Sequence, residues 1–153
     1  MRKTLMALAA MLVASQAQAA PRDNIIAAVQ KFDDAFNAGD QKAILGACTD
    51  DAIIIDDFPP HVWQGANACS TWFDDYGKDA TANGIAGGIV KIGKPWQAVA
   101  TGDRGYVVVP AKYTYTQKGK PVVESGSVWT LALHKVGGLW KISGWAWGQH
   151  PGK

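Results

Sequence analysis

The stretch DAIIIDDFPPHVWQG, residues 51–65, sets two carboxylates, a histidine and an indole at the end of an apolar run. Side chains alternate along a strand, so Ile54 and Asp56 share one face while Ile53, Ile55 and Asp57 share the other. Only one of the two aspartates can therefore look into a pocket. Two readings stand side by side. Either the strand runs out into water with both carboxylates solvated, or one carboxylate faces an apolar wall, where a raised pKa suits it to moving protons near neutral pH. His61 lies five residues beyond Asp56, after the Pro59-Pro60 step, which restricts the loop and admits a cis bond. It is either a plain loop histidine or the partner of Asp56 in an acid–base pair. No two histidines stand at ligand spacing, and no metal site is expected.

Seven tryptophans in 153 residues exceed what the packing of one small core asks for. Taken singly, Phe32, Phe36, Trp63 and Trp72 each read as core, as do Tyr113, Trp129 and Trp145. As a set, with Trp96, Tyr115 and Trp147 beside them, they predict a concave site for a small apolar or aromatic molecule, or else the cover of an interface. Tyr113 and Tyr115 fall on one strand face, with Glu124 in the strand that follows. The two cysteines, Cys48 and Cys69, admit either a disulfide or two buried free thiols. A bridge would close a loop of about 20 residues and contribute about 3 kcal/mol. There is no phosphate-binding glycine loop, no GxSxG elbow and no recognisable Cys–His spacing, so neither a cofactor nor serine-hydrolase chemistry is indicated.

These side chains need elements to hold them. Residues 22–40 read as an amphipathic helix with Ile25, Val29, Phe32 and Phe36 on one face and Gly39 as its stop. Asp40 can cap a second, short helix carrying Ile44, Leu45 and Cys48. A third helix runs from Gly65, with Cys69, Trp72, Phe73 and Tyr76 as its stripe and Gly77 as its end. From about Gly84 the pattern turns to strands, near 86–99, 105–117, 121–135 and 139–149, joined by turn residues into a meander. Pro110 implies an edge or a bulge. Trp140 and Ile142 lie on the opposite parity from Trp145 and Trp147, which a bulge near Ser143-Gly144 would reconcile. Three N-terminal helices wrapped by a curved antiparallel sheet make an α+β fold.

The first 19 residues, with Arg2 and Lys3, an apolar run and Ala17-Gln18-Ala19, have the form of a secretory signal cleaved near Ala19. That leaves 20–153 as a single domain and places the protein in the periplasm or outside the cell. Removing Arg2 and Lys3 from the 15 basic residues leaves 13, against 13 acidic ones. A neutral chain with no basic stripe gives no support to nucleic-acid binding. No later segment is apolar enough for a membrane span.

The order of these pieces resembles a known family. VQKFDDAFNAGDQKAILGACTDDAIIIDD is similar to the opening of the nuclear transport factor 2-like superfamily, within it the SnoaL-like and ketosteroid isomerase-like proteins, and LWKISGW is similar to their last strand. The resemblance covers nearly the whole mature chain. It implies a cone-shaped α+β barrel with a pocket between helices and sheet, and a homodimer packed through the sheet. It also implies that Asp56 takes the place of the isomerase's general base. The oxyanion-stabilising tyrosine falls at Phe32, which has no donor, and the second donor falls close to Ser127. Losing such a donor costs about 2.7–4 kcal/mol of barrier, so steroid isomerisation itself is not expected. What remains is isomerase, lyase or cyclase chemistry at Asp56 without a cofactor, a non-catalytic ligand-binding protein, or a dimerising interaction module.

Overall fold

The computed structural model describes residues 21–149, and the expected signal segment and the last four residues lie outside them. Helix α1 (21–38) buries Ile25, Val29 and Phe32 and half-buries Phe36, which is the predicted stripe. It stops at Gly39, whose φ of 65° lets the Gly39 and Asp40 amides turn back onto the Phe36 and Ala35 carbonyls. Asp40 then caps α2 (Gln41–Ala47) by accepting from the Ala43 amide at 3.0 Å. Cys48 opens β1 (Cys48–Ile55) rather than closing the helix.

Strand β2 (Val62–Gln64) returns antiparallel against β1. Helix α3 (Ala68–Asn83) follows, and it runs past Gly77, contrary to the sequence expectation. A helix-interior glycine costs only about 1 kcal/mol relative to alanine, which the flanking turns absorb. The true stop is Gly84, in the left-handed conformation at φ 68°. A disulfide joins Cys48 to Cys69 with their Cα atoms 6.5 Å apart, so the first residue of β1 is tied to the first turn of α3.

The remaining strands are β3 (Ile85–Ile92), β4 (Gln97–Thr101), β5 (Arg104–Gln117), β6 (Lys120–Val136) and β7 (Leu139–Gly148). They form one curved, unclosed sheet of order β2-β1-β7-β6-β5-β3, with β4 pairing with β5. The first predicted long strand is thus two, both on the same side of β5. Pro110 of β5 lies opposite the gap between them, where no partner strand asks for its missing N–H. The sheet is also not wholly antiparallel: β1 pairs with β7 in parallel, since the chain passes through α3 and the meander before returning beside β1.

Two bulges decide which side chains face inward. In β7 Ser143 is the extra residue, because Ala132 pairs with Gly144 and Leu133 with Ile142. That restores Ile142 and Trp145 to one buried face, as the parity of the sequence requires. In β6 Gly126 is the extra residue, at φ 89°, because Ala111 pairs with Ser127 and Lys112 with Ser125. The alternation inverts there, so Glu124 joins Ser127 and Trp129 on the inner face.

The core lies between α1 and this inner face. Phe32 packs on Trp129 at 5.6 Å and on Trp145 at 5.3 Å between ring centres. The Asn37 amide clamps the free edge of β3, donating to the Val90 carbonyl and accepting from the Val90 N–H, each at 2.8 Å. No helix among the described residues is long and apolar enough to cross a membrane.

Candidate functional site

Beyond the packed core, the inner face opens into a cavity of about 130 Å³. Its floor is Phe32 and Phe36 from α1 with Trp129 and Trp145 from the sheet. Trp72 and Tyr76 of α3, Tyr113 and Tyr115 of β5 and Trp147 of β7 complete its wall. The rings are in mutual contact. Trp72 stands edge-on to Trp145 at 4.9 Å and stacks on Tyr76 at 6.0 Å, and Tyr76 meets Phe36 at 5.2 Å. Such contacts fix ring positions before any ligand arrives.

Asp56 lies in this wall, just past the end of β1, on the same side as the fully buried Ile54. Ile53 and Ile55 are about half exposed, at 52% and 48%, as the alternation predicts. Two donors orient the carboxylate. The Trp72 indole N–H reaches Oδ2 at 2.9 Å, and the Asp57 amide reaches Oδ1 at 2.9 Å. Burial outweighs both and lifts the Asp56 pKa from 3.8 to about 7, with a smaller push from the Asp57 carboxylate. A carboxyl raised this far is suited to both giving and taking a proton near neutral pH.

The cavity also holds hydroxyls. Tyr76 and Tyr113, 37 residues apart, meet hydroxyl to hydroxyl at 2.7 Å. Burial raises the pKa of both, so both stay protonated and one hydrogen of the pair is free for a ligand. Gly88 makes room for them, because a Cβ there would collide with both hydroxyls. Tyr115 donates to Glu124 Oε1 at 2.7 Å, and burial with that carboxylate pushes its pKa up to about 12.

Of the residues singled out in the sequence, Asp56, Phe32, Phe36, Trp72, Tyr113, Trp129 and Trp145 converge on the cavity. Trp63 does not line it; its indole turns away to donate to Asp75 Oδ2 at 3.0 Å, and its ring backs Phe58. Ser127 does not line it either, though it is wholly buried on the inner face with its hydroxyl unpartnered among the described residues. His61 is exposed beyond the cis Pro59-Pro60 bond, and its Nδ1 lies 3.2 Å from the main-chain oxygen of Asp56 and makes no hydrogen bond to the carboxylate. Among the described residues no three His, Cys, Asp or Glu side chains cluster as metal ligands.

Sequence comparison finds no matching family model and no matching curated protein. Solved structures match in fold. A nuclear transport factor 2-like protein with a cystatin-like fold from Novosphingobium aromaticivorans aligns over 97% of this chain and 92% of its own, with a TM-score of 0.68 at 16% identity. A ketosteroid isomerase-like protein from Erwinia carotovora atroseptica aligns over 86% of this chain and 97% of its own, with a TM-score of 0.65 at 19% identity. A nuclear transport factor 2-like protein of unknown function from Pseudomonas putida aligns over 88% and 89%, with a TM-score of 0.68 at 14% identity. The chain therefore has the nuclear transport factor 2-like, cystatin-like fold, and identities this low carry the fold alone.

Proposed function

We propose that the aromatic cavity receives one small, largely apolar molecule and that Asp56 transfers a proton within it, as in an isomerase or lyase that needs no cofactor. The observation that carries this reading is the Asp56 carboxyl itself, oriented by Trp72 and Asp57 and held near pKa 7 by burial. The ionised form would take a proton from carbon. The Tyr76–Tyr113 hydroxyl pair would stabilise the oxygen on which charge then develops, a role that Phe32 cannot fill. His61 and Ser127 are outside this scheme, because neither reaches the cavity wall. A volume of about 130 Å³ has room for a single ring, since an apolar cavity of roughly 150 Å³ holds benzene.

The disulfide supports the reading that the protein works outside the reducing cytosol. The test uses the mature chain with single-ring enolisable ketones in D2O. Proton NMR should show loss of the α-proton signals, and Asp56→Asn should abolish the exchange while tryptophan fluorescence still reports binding. Binding without exchange in the wild type would make the protein a ligand carrier. Exchange that survives in Asp56→Asn would remove Asp56 as the base.

A further inference from the structure

The charges around the cavity all have one sign. Asp56 enters from the end of β1 with the exposed Asp57 at the rim beside it, because the strand ends at Ile55 and strict alternation no longer separates the two as the sequence suggested; Asp79 comes from α3 and Glu124 from β6. No lysine, arginine or histidine is among the lining residues, although residues 20–153 hold as many basic as acidic side chains. Three separate elements thus bring carboxyl groups to one aromatic-walled space. One of them, Glu124, faces inward only because the Gly126 bulge inverts the alternation of β6. Their field is felt inside: Asp56 contributes to raising the Tyr76 pKa, and Glu124 contributes to raising those of Tyr113 and Tyr115.

Such a site suits a particular chemistry. Aromatic faces carry negative charge and attract cations held within about 6 Å, most strongly where water is excluded. An alkylated ammonium presents an apolar skin to the rings and its positive charge to the carboxylates. A neutral molecule would use the rings but leave the negative charge of the carboxylates unmatched, since their hydrogen-bond partners Trp72, the Asp57 amide and Tyr115 are all uncharged donors. We infer that the ligand is a small organic cation, a tertiary or quaternary ammonium or a ring bearing one, caged by Trp72, Trp129, Trp145 and Trp147 and matched in charge by Asp56, Asp57 and Glu124. This rests on the reading of the aromatic cavity as the ligand site and specifies what occupies it. A trimethylammonium group is comparable in bulk to the benzene that a cavity of this class accepts.

Binding also couples to protonation. A cation favours the ionised form of Asp56, so affinity rises with pH up to the Asp56 pKa of about 7 in the free protein and levels off above it. The other titratable groups at the cavity are Asp57, Tyr76, Asp79, Tyr113, Tyr115 and Glu124, and the buried Trp129 indole N–H adds an unpartnered donor among the described residues; α1 contributes only the rings of Phe32 and Phe36.

The experiment is a tryptophan-fluorescence titration of the mature chain with choline and with its neutral carbon isostere, 3,3-dimethylbutan-1-ol, at constant ionic strength. Choline is expected to bind at least tenfold more tightly at pH 8, and the difference should narrow at pH 6. Asp56→Asn and, as a second readout from a different strand, the nearly isosteric Glu124→Gln should each narrow it at pH 8. Equal or tighter binding of the alcohol would overturn the cation assignment and leave the cavity reading standing. Binding of neither probe would overturn both.

Discussion

At the scale of single residues, Asp56 is a group whose placement works against stability. Its pKa is raised from 3.8 to about 7, so the folded state holds its proton more tightly than the unfolded chain does. Stability is therefore fully present below about pH 4 and falls as pH rises towards 7, by an upper limit of roughly 4 kcal/mol. Asp33, buried in α1 and raised to about 6 mainly by desolvation, adds a loss over a similar window. The two are separated by substitution. Asp56→Asn keeps an oxygen for the Trp72 N–H and carries no charge to desolvate. Urea unfolding should show the variant more stable than wild type at pH 8, by on the order of 1–3 kcal/mol, with the gap closing near pH 4. A constant difference across that range would mean that Asp56 is not the desolvated acid described. This cost in the resting protein is what a site residue incurs when the pocket asks for a carboxyl against indoles.

At the scale of elements, α3 matters most, because it carries Trp72 and Tyr76 to the cavity and is joined to β1 by the Cys48–Cys69 bridge. Replacing both cysteines with alanine should lower the unfolding free energy by about 3 kcal/mol, for a loop with a sequence separation of 21. It should also weaken ligand binding, since the tie lies one turn before Trp72. A fluorescence titration beside the denaturation curve checks both, and a stability loss with unchanged affinity would mean that packing alone sets the α3 register. Gly77 offers the opposite sign. It is exposed in the helix interior, and a methyl group added at its Cα would meet nothing within 4 Å. Gly77→Ala should therefore raise stability by up to about 1 kcal/mol in the same assay. The sequence suggested a stop there because Gly77 closes the aromatic stripe; only the left-handed turn at Gly84 shows where the helix ends. The Ser143 bulge was legible because two pairs of large apolar residues disagree in parity. The Gly126 bulge was not, because β6 has no such pairs to expose the flip, and with it the inward turn of Glu124 went unseen. The Tyr76–Tyr113 pair was hidden for a different reason: it depends on how α3 lies over β5, which neither segment encodes alone.

At the scale of the whole molecule, the sheet has a second face, and two adjacent rows of it are apolar between charged residues such as Arg104, His134 and Lys141. Ile53 and Ile55 of β1 and Val62 of β2 are about half exposed, at 52%, 48% and 51%. The pairing register carries this row across the sheet: Ile55 lies beside Ala146, Ala146 beside Thr130 and Thr130 beside Val108, while Ile53 lies beside Gly144, then Ala132 and Tyr106. No charged side chain interrupts either row. A contiguous apolar face of this kind marks a surface to be covered. We propose that a second copy of the chain covers it, the homodimer that the family resemblance implies. Isologous packing would place each sheet against its mate and leave both cavities opening away from the contact. Ile53→Asp with Ile55→Asp would set two like charges against their symmetry mates without touching the inner face. Light scattering should then show monomer where the wild type is dimer, while the tryptophan-fluorescence response to ligand is retained. A wild type that is monomeric at all accessible concentrations would reject the dimer. A dimer that survives the double substitution would place the contact elsewhere on the surface.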